Sequence, residues 1–240
     1  MFKDQADGLG DTGGDYVADE LPGSDVEGDP SKLMALFDRS LIGAGHLMRA
    51  RVARLEQRFP DASEEQLLKK LETTFLSSVT VSGATAGGAA AVPGVGTAAA
   101  LAMTAGDTSW FMTAAAGHVL AALRIHGIDI TDLEHQKAIV LTVLAGGGGS
   151  TFFGKAAARA GGNLGKLLAN AVPLSTIRSI NRVLGYNFVT RYGTRQGILV
   201  LGRVAPFGVG MAIGAGGNLV MAQTVVKATR KAVATALDLR

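Results

Sequence analysis

Between Arg203 and Lys227 the chain runs for twenty-three residues without a formal charge. Coiled into a helix, that run spans roughly 34 Å, close to the thickness of a bilayer core. Such a helix must bury its surface against protein or meet lipid. Five of its residues are glycine (Gly208, Gly210, Gly214, Gly216 and Gly217), and Asn218 and Gln223 interrupt its apolar surface. Gly210, Gly214 and Asn218 recur every fourth residue and form one narrow stripe on a helix. Small side chains in a stripe let two helix backbones approach closely. The run therefore reads first as a helix built to pack against another helix. Its second reading is a helix able to meet lipid.

The rest of the composition agrees with close helix packing. The 240 residues include 33 Gly, while aromatics make up only 5%. A core of this kind must be filled by small side chains rather than by rings. The length suits one large domain or two small ones. No Cys is present, which removes disulfides and thiolate metal sites. The opening residues are acidic and lack the basic-then-apolar order of a secretion signal.

Charge is segregated. Residues 1–30 hold nine acids and one base, a net of −8, and leave the body at +11. A basic body points to anionic lipid, to nucleic acid or to an acidic partner. The alternative is a body masked by its own tail. Residues 1–30 contain few large apolar side chains and cannot offset their ordering entropy, so they are predicted to be disordered. Asp4, Asp7, Asp11 and Asp15 lack the twelve-residue pattern of a calcium loop.

Ser31 is expected to cap a helix running to about Arg58. Leu33, Leu36, Phe37, Leu41, Ala44, Leu47, Met48, Val52 and Leu55 form its apolar face. Arg49, Arg51, Arg54 and Arg58 crowd its end, where they complement the helix dipole; a membrane-surface face is the alternative. After Pro60, Asp61 or Ser63 opens a second helix, with Glu64 and Glu65 in its first turn. No charge then appears between Glu72 and Asp107. Pro93, Gly94 and Gly96 break this stretch into a tightly packed hairpin. From Thr97 a long helix is expected to reach about His126 and to end with Gly127 at C′. Trp110 reads as a partly buried core residue or an interface anchor.

The cluster around His126, Asp129, Asp132, Glu134 and His135 matches no standard metal motif. Thr131 with Glu134 reads instead as a capping box opening the next helix, Thr131 to Ala145. Gly149, Gly154 and Lys155 have phosphate-loop spacing. Ala156 stands where a Ser or Thr hydroxyl should hold magnesium, and no later apolar run ends in a suitable Asp. The reading is therefore a glycine linker between helices, with no cofactor, no metal and no catalytic residue assigned.

Two sets of residues carry the functional expectation. Pro93, Gly94, Gly96, Pro206, Gly208, Gly210, Gly214, Gly217 and Asn218 are assigned to helix packing. The turns at Pro93 and Pro206 resemble each other, and the helices they open could meet through their glycine faces. Arg178, Arg182, Arg191, Arg195, Arg203, Lys227, Arg230 and Lys231 are assigned to an anionic surface, at about 1 kcal/mol each near such a membrane. Nucleic acid is the weaker partner, since stacking aromatics are few beyond Tyr186, Phe188 and Tyr192.

The stretch from Asn181 to Asn218 resembles the EcsC-type family of bacterial proteins. The resemblance lies in its basic segment, in Thr190 with Tyr192 and Gly193, in Pro206, and in the Gly-rich run from Gly208 to Gly217 closing on Asn218. The glycine hairpin beginning at Gly83 is similar as well. The resemblance covers about residues 31–240. It implies a protein on the cytoplasmic side of the bacterial cell membrane, peripheral or partly inserted, and it brings no catalytic residues. The expectation is thus an all-α domain of about seven helices over residues 31–240. It is a non-enzymatic protein contacting anionic membrane lipid or a membrane protein. The alternative is a soluble enzyme or ligand carrier with a pocket between helices, using His118, His126 or His135.

Overall fold

The computed structural model describes residues 30–90, 97–144, 209–238 and, between the last two segments, residues 174, 175, 177, 178, 181, 182 and 185. The described part is all helical, with no strand among these residues. Five helices are complete: α1 (Pro30–Arg58), α2 (Glu64–Ala90), α3 (Thr97–Ile125), α4 (Leu133–Leu144) and α5 (Val209–Leu237). The described residues of 174–185 are helical too. The expectation of disorder for residues 1–30 lies outside the described residues, Pro30 excepted.

Local chemistry sets each boundary. The first helix starts one residue before Ser31, with Pro30 in its first turn. There its missing N–H would have had no partner anyway. Ser63, not Asp61, opens α2. Its hydroxyl accepts from the Gln66 N–H at 3.3 Å, and the Gln66 side chain accepts from the Ser63 N–H at 2.9 Å. This reciprocal pair is a capping box. At the other end of the bundle's third helix, Gly127 adopts φ 68°. The Ile128 N–H donates to Leu123 O and the Gly127 N–H to Arg124 O, both at 2.9 Å. That is a Schellman motif, in which glycine takes the left-handed residue without a Cβ penalty.

The cap of α4 differs from the expectation. Asp132, not Thr131, accepts from the His135 N–H at 3.0 Å. The carboxylate one residue later takes the N–H three residues on from itself, so both the capping position and its donor shift by one. Glu134 is then released from capping, and it accepts instead from Asn181 Nδ2 at 2.7 Å.

The core forms where the four long helices meet. Phe37, Phe75, Phe111, Leu41, Leu71 and Met112 are fully buried. Burying each such side chain contributes about 1.5–3 kcal/mol. Around them α3 is lined by alanines: Ala114, Ala115, Ala116, Ala121 and Ala122 are all buried. Small side chains on its whole circumference let α1, α2 and α4 all pack on α3. One member of the expected α1 face departs: Leu47 is 49% exposed. Phe37, Leu41, Ala44, Met48 and Val52 already fill that seam at spacings of four and three, which leaves Leu47 at its edge.

Candidate functional site

Helix α5 runs antiparallel along α2. Met211 meets Gly88, Gly214 meets Gly83, and Arg230 meets Glu72. At the crossing the backbones touch. A Cβ at Gly83 would overlap the Gly214 carbonyl oxygen and would lie 2.7 Å from Asn218 Nδ2. Only glycine permits this approach, because any other residue would place a carbon inside the neighbouring backbone. The expected pairing of the two proline-led helices is corrected here, since α5 lies mainly on α2 rather than on α3. The reason is local: α2 offers Gly83 and Gly88 as the complementary surface.

Beneath the crossing lies a buried polar junction of three helices. Asn218 of α5 is fully buried, and its Nδ2 donates to the Val79 carbonyl of α2 at 2.9 Å and to Asp107 of α3 at 3.0 and 3.2 Å. Ser82 of α2 donates to the same Asp107 carboxylate at 2.5 Å. Hydrogen bonding of this kind is what makes a buried carboxylate tolerable. Helical spacing puts Asn218 in the stripe but carries no signal that Asp107, 111 positions earlier, is its partner.

No protein-family model, curated protein or solved structure matches this chain. Gly214 and Asn218 sit at the crossing; Gly217 is half-buried on α5, and Gly210 is the second residue of that helix. Pro93, Gly94, Gly96, Pro206 and Gly208 lie outside the described residues, as do the turn and linker readings that depend on them and on Gly149, Gly154 and Lys155.

The cations divide into two groups. Arg178, Arg182, Lys227 and Lys231 are exposed, and among the described residues none has an acidic partner. Arg230 is committed. Its Nε and Nη2 donate to the Glu72 carboxylate at 2.6 and 2.9 Å, and its Nη1 donates to Glu65 at 3.1 Å. The Glu72 hydrogen bonds, more than the charges of Glu72 and Glu65, raise its pKa further above the ordinary arginine value. It fastens α5 to α2 and is not available as a free surface charge. Arg191, Arg195 and Arg203 lie outside the described residues. On α1, Arg49, Arg54 and Arg58 are exposed, while Arg51 is half-buried with its pKa lowered by burial and then by Arg54.

The halves of α2, α3 and α5 around the glycine crossing are uncharged apart from Asp107. They expose Val81, Met103, Met211 and Val220, and Trp110 is 40% exposed. A shallow groove of about 730 Å³ runs beside Trp110, lined by Thr73, Thr74, Ser77, Ser78, Val81 and Ser82. Thr73, Thr74 and Ser78 donate to carbonyls of their own helix, so their lone pairs face outward.

The three histidines of the alternative reading are all buried but do not share this groove. His126 Nδ1 lies 3.0 Å from Ala122 O, and His135 Nδ1 lies 2.7 Å from Asp132 Oδ1. That hydrogen bond holds the Asp132 carboxyl below its ordinary pKa. Among the described residues no three His, Asp or Glu side chains converge on a point a metal could occupy. No described helix is long and apolar enough to cross a membrane.

Proposed function

We propose that this chain is a non-enzymatic, membrane-associated helical protein of EcsC type, held to anionic lipid or to a membrane protein by its cationic helix faces. One observation carries the reading. Arg178, Arg182, Lys227 and Lys231 are exposed cations with no acidic partner among the described residues, and the last two stand on a helix whose preceding turns are uncharged. Unpaired cations beside apolar helix ends suit an interface between headgroups and hydrocarbon. The exposed Val81, Met103, Trp110, Met211 and Val220 support shallow insertion at that interface. In this reading the protein lies on the cytoplasmic side of the bacterial membrane, peripheral or partly inserted. About seven helices form the body, and the acidic residues 1–30 stay outside it.

Sedimentation with vesicles tests the proposal. Binding to anionic vesicles, absent for zwitterionic ones and weakening as salt rises, is the expected result. No sedimentation with either vesicle at low salt overturns it.

A further inference from the structure

His118 combines full burial with two unused nitrogens. It is 0% exposed in the middle of α3, and among the described residues neither Nδ1 nor Nε2 has a hydrogen-bond partner. Its ring stacks on Phe75 of α2, with centroids 4.7 Å apart and planes at 11°. Arg51 of α1 and Arg230 of α5 are the charges that act on it. On α2, Glu72 is spent on Arg230. The titratable groups of α4 are Glu134, His135 and Lys137, in its first five residues, and Asn181, Asp132 and Asp38 hold them.

A neutral imidazole in this place lacks two hydrogen bonds that it would make in water. A protonated one fares worse. Its stack on Phe75 returns a cation–π attraction. The desolvation of an unpaired charge and repulsion from two guanidinium groups outweigh it. The closed bundle therefore holds the ring neutral.

We propose that His118 is an acid-sensitive latch: its ring takes a proton only when the helices packed around α3 part from it, so acid shifts the protein towards an open form. In the open form the ring is hydrated and titrates near about 6.5. In the closed form burial, then Arg51 and Arg230, push it down to about 3. Between these values each pH unit multiplies the open-to-closed ratio by about ten. The consequence for lipid rests on the proposed membrane role. A leaflet at about −30 mV lowers the local pH by about half a unit, and opening would present uncharged surfaces of α2, α3 and α5 to it.

The test compares the full chain with His118→Gln and His118→Phe between pH 7.5 and 4.5, reading the opening equilibrium by hydrogen exchange and urea unfolding. Every other ionisable group is common to all three proteins, so only the difference between profiles counts. The wild type is expected to lose about fiftyfold in closed-to-open ratio, relative to either variant, from pH 6.5 to 4.5. Parallel profiles overturn the latch. If the larger Phe prevents folding, the Gln variant alone decides. A second arm sediments wild type and His118→Gln with anionic vesicles at pH 5 and 7. Binding by the wild type that rises at pH 5 only while His118 is present joins the two proposals. A His118-dependent opening with no vesicle binding keeps the latch and removes the membrane role. Vesicle binding with parallel opening profiles does the reverse.

Discussion

Asn218 Nδ2 reaches across from α5 to both carboxylate oxygens of Asp107, at 3.0 and 3.2 Å, while also meeting the Val79 carbonyl at 2.9 Å. One amide thus ties three helices together beside the close crossing of Gly83 and Gly214.

Removing that amide leaves Asp107 with fewer donors in a buried place. Asn218→Ala should destabilise the protein by about 1–3 kcal/mol, read as a lower urea midpoint. An unchanged midpoint would mean that the remaining contacts of Asp107 satisfy it.

Two glycine substitutions should act in opposite directions. Gly83→Ala drives a carbon into the Gly214 carbonyl, so α2 and α5 must separate, at a cost of about 1–3 kcal/mol. Gly216→Ala has open space around its new methyl and removes glycine's backbone entropy from a helix interior, a gain of up to about 1 kcal/mol. Thermal melts that move the same way for both would contradict the close crossing.

Arg230→Met removes the partner of Glu72, whose side chain is only 12% exposed. A loss of about 1–3 kcal/mol is expected by chemical denaturation. Because the Arg230 pKa is raised above an already high value, the group stays charged at any accessible pH and adds no pH dependence of its own.

Asp132 combines a cap and a charge, and two variants separate them. Asp132→Ala loses the cap, at about 1 kcal/mol. Asp132→Asn keeps an acceptor for the His135 N–H and loses only the charge. Its folded pKa lies below the unfolded one, so the stabilisation is present above about 3.9 and lost as pH falls through the folded value. The Asn variant should therefore show a shallower loss of stability below pH 4, followed by circular dichroism.

Lys227→Glu with Lys231→Glu reverses two free cations without touching the Arg230 bridge. Binding to anionic vesicles should weaken by at least tenfold, at about 1 kcal/mol for each cation lost. Unchanged partitioning of this double variant would place the lipid contact elsewhere on the chain.

Much of this was legible residue by residue. The opening of α2 at Ser63, one of the two starts expected, the stop at Gly127 and the apolar spacing of α1 are local, and short-range sterics and hydrogen bonding decide them. Legibility failed where two local choices were close in energy. Thr131 and Asp132 are adjacent candidates for one cap, and the carboxylate took it. Leu47 belongs to the apolar face by spacing, but the seam was already full.

The amino-acid order alone determined that the described segments are helical and that the charge is divided between an acidic start and a basic body. Those properties follow from periodicity and charge, which each residue carries with it. The expectation of a core without rings is corrected, since Phe37, Phe75 and Phe111 are fully buried and small residues instead line α3. Which glycine meets which, that Asn218 finds Asp107, that Arg230 is spent on Glu72 and that His118 is left without a partner were decided only by tertiary packing. Each depends on groups far apart in the chain brought within about 3 Å, and hydrogen bonding and overlap change steeply at that range.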